Sequence, residues 1–285
     1  MNRPGPTAIA KILKVERGRR VDASDTLAAE EPMEIRVESG PKGNRTTTSL
    51  CVTMRTPGND FELAAGFLFT EGVLARKRDI ARIEYCPDPG VAQEYNIVSV
   101  LLRSDVRFTP DRLSRHLYMT SSCGVCGKTS LEAVRVAVRH EIPRDRPVLA
   151  PSVVAGIPDR LRHGQALFQE TGGLHAAGLV DVKGGPLIIR EDVGRHNAVD
   201  KVIGAELLAD RMPLFDRVLA VSGRGSFEIL QKAAVAGVPI VVAVGAPSSL
   251  AVSLAEEFGM TLVGFAREGR FNVYAGRSRI AGGDP

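Results

Sequence analysis

Nothing in the 285 residues is apolar for long enough to cross a membrane as a helix. The first twenty residues are basic at both ends with few apolar residues between them. They lack the apolar stretch and small-residue cleavage site of an export signal, so residues 1–20 are expected to be a flexible tail. A chain without an export signal is expected to be cytoplasmic, where cysteines stay thiols rather than structural bridges. There is no internal repeat and no low-complexity segment, so the fold is read element by element. Charge of one sign is scarce too: the net charge is +4, spread along the chain. That hints at anionic ligands and gives no reason to expect nucleic acid. The apolar, charged and aromatic shares are those of a soluble globular protein. The length allows one large domain or two ordinary ones.

Cysteine is sparse as well, at four residues, and only two of them form a pair. These lie in Ser121-Ser122-Cys123-Gly124-Val125-Cys126-Gly127-Lys128. Two thiols at this spacing can chelate a metal, form a disulfide or hand sulfur from one to the other. A glycine follows each cysteine and frees the backbone, which disfavours packed core thiols. Thr129-Ser130-Leu131-Glu132 then reads as a capping box, followed by Leu131, Val134 and Val138 at helical spacing. Lys128 and the dipole of that helix favour the thiolate, the reactive form. A closed zinc site needs a second ligand pair, which the sequence lacks, so no metal is expected. Cys51 reads as a small apolar residue in a strand, and Cys86 lies in a turn before Pro87.

The first half reads as an α+β unit. Met33 to Glu38 and Leu50 to Met54 alternate apolar and polar around Gly40, Gly43 and Asn44, which predicts a hairpin. Thr56-Pro57-Gly58-Asn59-Asp60 is a turn into a helix carrying Leu63, Phe67 and Leu68. Ile80 to Tyr85 and Tyr95 to Arg103 read as strands. The polar stretch from Ser104 to His116 marks the boundary between a domain over 21–113 and a second over 114–285.

The second half is α/β. Arg217 to Gly223, Val238 to Val244 and Met260 to Phe265 are apolar strands. They alternate with helical patterns at Ser226 to Ala236 and Ser249 to Phe258. Such alternation predicts parallel strands buried on both faces. Their carboxyl ends share one edge, where ligands of open α/β sheets bind. The loops there are Ser222-Gly223-Arg224-Gly225-Ser226, Gly245-Ala246-Pro247-Ser248-Ser249 and Gly264-Phe265-Ala266-Arg267-Glu268-Gly269-Arg270. Glycine, hydroxyls, helix N-termini and arginines suit phosphate oxygens, although any one such loop is also an ordinary helix-entry turn. The densest polar stretch runs from Glu191 through Asp192, Arg195, His196 and Asp200 to Lys201. His196 and Asp200 are one helical turn apart and could pair; the alternative is a solvated, salt-bridged helix start. His175 sits after two glycines, ahead of a strand from Gly178 to Val182.

These blocks together resemble the formate dehydrogenase accessory sulfurtransferase family (FdhD). The resemblance rests on the CxxC loop, on Glu191 to Lys201, on Ser222-Gly223-Arg224 and Gly264-Phe265-Ala266-Arg267, on Thr56-Pro57-Gly58 with Gly66-Phe67-Leu68, and on Thr171 to Ala177. It runs in order from about Glu31 to Ile280. Gly225 departs from it, standing where the family more often has a small aliphatic residue. The resemblance implies a C-terminal domain like the cytidine deaminase three-layer sandwich, beside a smaller N-terminal α+β domain. It does not carry deaminase chemistry: here the cysteines precede the histidine, and His175 is followed by Ala176-Ala177 rather than by x-Glu.

By resemblance the chain is a sulfurtransferase. It takes sulfur from a cysteine desulfurase as a persulfide on the CxxC loop, and Cys123, furthest from the helix, is expected to carry it, with Cys126, nearer the dipole, assisting. It passes the sulfur to the bis-molybdopterin guanine dinucleotide cofactor of molybdenum, a bound substrate, before insertion into formate dehydrogenase. A homodimer is expected, with no nucleic acid or membrane partner. The cofactor is expected at Ser222, Gly223 and Arg224, at Phe265, Ala266, Arg267, Glu268, Gly269 and Arg270, and at Asp192 and His196, with Asp192 accepting from the guanine. The alternative is a non-catalytic chaperone that only binds and delivers the dinucleotide.

Overall fold

A computed structural model describes residues 3–86, 90, 92–109 and 138–282. Cys123, Cys126, Lys128 and the capping box after them lie outside the described residues, as does the expected domain boundary at 113/114.

The flexible tail expected for residues 1–20 is not what forms. Thr7–Glu16 (β1) pairs antiparallel with Arg19–Ala28 (β2), from Thr7 opposite Ala28 to Glu16 opposite Arg19. Arg17 and Gly18 between them both have positive φ, 49° and 80°. That is the two-residue hairpin turn whose twist matches the strands.

Glu31–Ser39 (β3) and Thr46–Arg55 (β4) form the expected hairpin. With Ile80–Tyr85 (β5) and Ile97–Leu102 (β6) they make a four-stranded sheet of order β4-β3-β6-β5, in which β3 and β6 run parallel. Asp60–Thr70 (α1) leaves this sheet.

The second half builds a six-stranded sheet of order β12-β11-β10-β9-β7-β8. Its strands are His175–Val180 (β7), Pro186–Asp192 (β8), Val218–Val221 (β9), Ile240–Ala243 (β10), Thr261–Arg267 (β11) and Arg270–Ala275 (β12). The expected parallel trio is β9, β10 and β11. Side chains alternate between the two faces, both of them buried along the central strands. Leu219, Val221, Val241 and Leu262 face one side, under Arg195–Leu208 (α4), Phe227–Ala236 (α5) and Ser249–Glu257 (α6). Val218, Ala220, Ile240, Val242 and Val263 face the other, under Val154, Ile157 and Leu161 of Pro151–His163 (α2). A short helix, Ala166–Thr171 (α3), follows α2. The architecture is α/β with helices on both faces of the sheet.

The two halves share one core. The apolar cluster that holds Met33, Ile35 and Val100 also holds Leu68 of α1, Val202 of α4 and Ile229 of α5. At the seam, α1 and α4 cross on glycine. A methyl group on Gly66 would lie 1.9 Å from the Asp200 carbonyl oxygen, and one on Gly204 would lie 1.8 Å from that of Glu62. Only residues without Cβ let the two backbones approach this closely.

Candidate functional site

Because β7 is antiparallel to β9 and β8 antiparallel to β7, His175 and Asp192 reach the same sheet edge as the ends of β9, β10 and β11. The loops there are laced together. Ser222 donates its N–H to the Ala176 carbonyl (3.0 Å), and its Oγ accepts from the Ala176 N–H (2.9 Å). Gly245 donates to Gly223 (2.9 Å), Gly225 to Ala246 (3.2 Å), Ser248 to Gly225 (3.1 Å) and Phe265 to Gly245 (3.1 Å). Many of the edge's N–H groups are therefore spent on holding its shape. The Ser248 hydroxyl caps α6 by accepting from Ala251 (3.3 Å).

The third loop is not a helix entry. β11 runs on to Arg267 and turns through Glu268 (φ 52°) and Gly269 (φ 73°) into antiparallel β12. A bulge between Gly264 and Arg267 puts Phe265 in the left-handed region (φ 52°) with its ring exposed. That conformation is uncommon for a bulky residue. Ala266 is fully buried in the core under α2, so it supports this segment rather than meeting a ligand. Arg267, Glu268 and Arg270 are exposed, as is Arg224.

A cavity of about 570 Å³ opens at this edge between α2, α3 and the strand ends, lined by Arg162, Gln165, Phe168, Gly172, Gly173, His175, Val193, Ser222, Val244, Arg267 and Glu268, among others. Its volume is that of a small-ligand site. Arg162 lies over the Phe168 ring, 4.0 Å from the centroid. Gln165 is buried, and among the described residues its Nε2 has no hydrogen-bond partner. Sequence reasoning missed this wall of the site, because nothing local marks a glutamine as an unpaired donor.

Beside the cavity stand two imidazoles. A methyl on Gly223 would come within 3.6 Å of His175 Nδ1 and 3.7 Å of Arg195 Cδ. Burial lowers the pKa of His175, and the Arg195 charge lowers it further. His196 is pushed down to about 4, first by burial and then by Arg195 and Lys232. Both rings are neutral at neutral pH. Glu228 Oε2 lies 3.8 Å from His196 Nε2. The Glu228 carboxyl is held below its ordinary range: burial opposes ionisation, but its own backbone N–H and the Arg195 charge outweigh it. An acidic side chain thus already sits in the first turn of α5.

Two expectations for the Glu191 to Lys201 block need correction. His196 and Asp200 do not pair. Asp200 is buried behind the helix, where it accepts from Lys232 Nζ (2.9 Å) and Thr70 Oγ1 (2.9 Å). Asp192, expected to read a guanine, is fully buried with both oxygens engaged. Oδ1 accepts from Gly194 N (2.8 Å) and Asn197 Nδ2 (3.0 Å), and Oδ2 from Lys201 Nζ (2.7 Å) and Thr56 N (3.2 Å). Its work is to weld the Thr56-Pro57-Gly58 turn to the start of α4. Cys51 lies half-buried in β4, and burial pushes its thiol up to about 12, so it is no nucleophile.

Residues 28–281 match the model of the FdhD/NarQ family. The sulfur carrier protein FdhD of Streptomyces coelicolor is 51% identical over 274 residues, covering 95% of this chain and 94% of that one. The sulfur carrier protein FdhD of Mycobacterium tuberculosis is 47% identical over 279 residues, covering 96% and 98%. Among solved structures, a formate dehydrogenase accessory protein from Desulfotalea psychrophila superposes with a TM-score of 0.73 at 26% identity, covering 96% of this chain and 99% of the other.

Proposed function

Because the chain belongs to the FdhD/NarQ family, we propose that it carries sulfur for the maturation of formate dehydrogenase, with Cys123 as the persulfide residue. The observation that carries this reading is the 51% identity to a sulfur carrier protein over nearly the whole chain. In the loading step the Cys123 thiolate attacks the terminal sulfur of a cysteine desulfurase persulfide. The donor's S–S bond breaks as the new one forms, and the donor leaves as a thiol with no net redox change. In the unloading step Cys126 attacks the inner sulfur of Cys123. The terminal sulfur departs as sulfide, and the resulting Cys123–Cys126 disulfide is reduced by a cellular thiol before the next round. The acceptor is the molybdenum of a bis-molybdopterin guanine dinucleotide, bound as substrate at the sheet edge. The cavity suits one nucleotide end of it, with Arg267 and Arg270 as fork-shaped partners for its diphosphate.

Intact mass after incubation with a cysteine desulfurase and cysteine tests this. The gain of one sulfur atom, absent in Cys123→Ala, is the expected result. Cys126→Ala should load and fail to unload. If neither thiol gains sulfur while GDP still binds, the chain delivers the dinucleotide without carrying sulfur.

A further inference from the structure

We propose that Gln165 sets the base specificity of the cavity, its Nε2 donating to the 6-oxo oxygen of a guanine. The inference rests on the reading above that the cavity holds one nucleotide end of the dinucleotide, and it names the group that reads the base. The cavity lining is sorted by depth. Asp159, Arg162, Arg267 and Glu268 are exposed and form its rim. Its buried lining residues, among those described, are Pro158, Leu161, Leu174 and Gln165. A diphosphate belongs at such a rim and a flat, largely apolar base belongs inside it. There the amide of Gln165 is the one polar group on a buried lining side chain. Gln165 is 3% exposed, and its Nε2 has no partner among the described residues. An acceptor brought by the ligand completes it.

The amide is held in place. Gln165 stands at the joint between α2 and α3, where its N–H donates to the Arg162 carbonyl (3.2 Å) and its carbonyl accepts from Gln169 N (3.0 Å). The Glu191 carboxylate, near the end of β8, accepts from the N–H groups of Leu167 (3.0 Å) and Phe168 (2.7 Å), which ties α3 to the sheet edge. Arg162 over the Phe168 ring adds a cation–π pair to the same wall, on which a planar heterocycle can stack. A lone donor then chooses among purines. Guanine carries an accepting oxygen at the position where adenine carries a donating amino group. Adenine would set N–H against N–H in a buried place and leave both unpaired. The 2-amino group of guanine is itself a donor, so Gln165 does not read it. Asp192 is spent on joining Thr56 to α4, and the base is read at its 6-oxo edge instead.

Calorimetric titration of the full chain with GDP, IDP, 7-deaza-GDP and ADP tests the proposal. IDP lacks the 2-amino group and 7-deaza-GDP lacks N7. Both should bind wild type within about threefold of GDP, and ADP at least about tenfold more weakly. Gln165→Leu should weaken GDP and IDP about three- to tenfold and leave ADP within about twofold, so that the preference for the 6-oxo base collapses. Arg267→Ala should instead weaken GDP and ADP alike, since it meets the diphosphate that both carry. Equal affinities of wild type for GDP and ADP overturn the proposal, and that series needs no variant to fold. So does a loss for IDP or 7-deaza-GDP as large as that for ADP, or a Gln165→Leu protein that keeps the wild-type ratio of GDP to ADP affinity. Failure of all four nucleotides to bind wild type is a different result: it removes the dinucleotide reading of the cavity, and this inference with it.

Discussion

Behind α4 the charges of Lys201 and Lys232 are buried and matched; at the sheet edge a few residues away the charged side chains stand in solvent. Lys201 is 2% exposed and bonds Asp192, the Thr56 carbonyl (2.9 Å) and the Glu191 carbonyl (3.3 Å). Lys232, 6% exposed, bonds Asp200 and Thr70 (3.0 Å). Both networks join the N-terminal half to the second sheet. At the edge Arg224, Arg267 and Arg270 are exposed, while the buried Gln165 Nε2, Arg195 Nε and His196 Nε2 lack hydrogen-bond partners among the described residues. Buried charge with full partners marks the structural frame. Buried donors without partners beside exposed cations mark where a ligand belongs.

Breaking the frame should have the largest effect. Lys201→Met leaves Asp192 ionised in the core and should cost about 3–5 kcal/mol, read as a fall in the urea midpoint. Asp192→Asn/Lys201→Met should recover much of it, because the stranded charge is gone. A single variant as stable as wild type would mean the pair is not what welds the halves. Breaking the edge should do the opposite. Arg267→Ala should leave stability within about 0.5 kcal/mol while weakening GDP roughly ten- to a hundredfold by calorimetry, the worth of a charge-assisted phosphate contact. Unchanged GDP affinity would remove Arg267 from the site.

What the sequence makes legible follows the same division. β9, β10 and β11 are readable because strands covered on both faces need unbroken apolar runs. The Phe265 to Arg270 segment and the Ser222 loop are readable because strand order alone brings them to one edge. Asp192 is misread because a carboxylate in a polar block looks solvent-facing, and only the packing of Thr56 and Lys201 around it shows otherwise. The β1–β2 hairpin is misread because its apolar residues are interrupted by Lys11 and Lys14 and none of them enters this chain's own core. Its one local signal is the Arg17-Gly18 turn. Gln165 and Arg162 carry no sequence signal, since their role arises from where α2 and α3 end.

Gln165 sharpens the contrast at smaller scale. Gln165→Leu removes a buried donor that has no partner among the described residues, so stability should hold within about 0.5 kcal/mol or rise. If the amide reaches a ligand, the same change should weaken GDP about three- to tenfold. A destabilised variant with unchanged GDP affinity would return Gln165 to the frame.

The smallest effect is a pair of opposed pH slopes on one helix. His196 has its folded pKa depressed to about 4, so its contribution to stability is present above its unfolded value near 6.5 and is lost as pH falls toward 4. Asp200 is raised to about 6 by burial, against the pull of Lys232. Its contribution is present below its unfolded value near 3.8 and is lost as pH rises through 6. Over the shared window the two slopes cancel, and wild-type stability from this helix should be nearly flat between pH 4 and 6. His196→Asn removes one slope, so its stability relative to wild type should climb by about 1 kcal/mol as pH falls across that window, after discounting for the ring's partial exposure. The groups facing His196 are Arg195 on its own helix, His175 on β7, and Glu228 and Lys232 on α5. None of them is altered by the substitution. Urea denaturation at pH 4, 5, 6 and 7 measures the difference directly. Parallel profiles for the two proteins would mean that the imidazole titrates alike folded and unfolded, and that Arg195 and Lys232 do not hold it neutral at the edge.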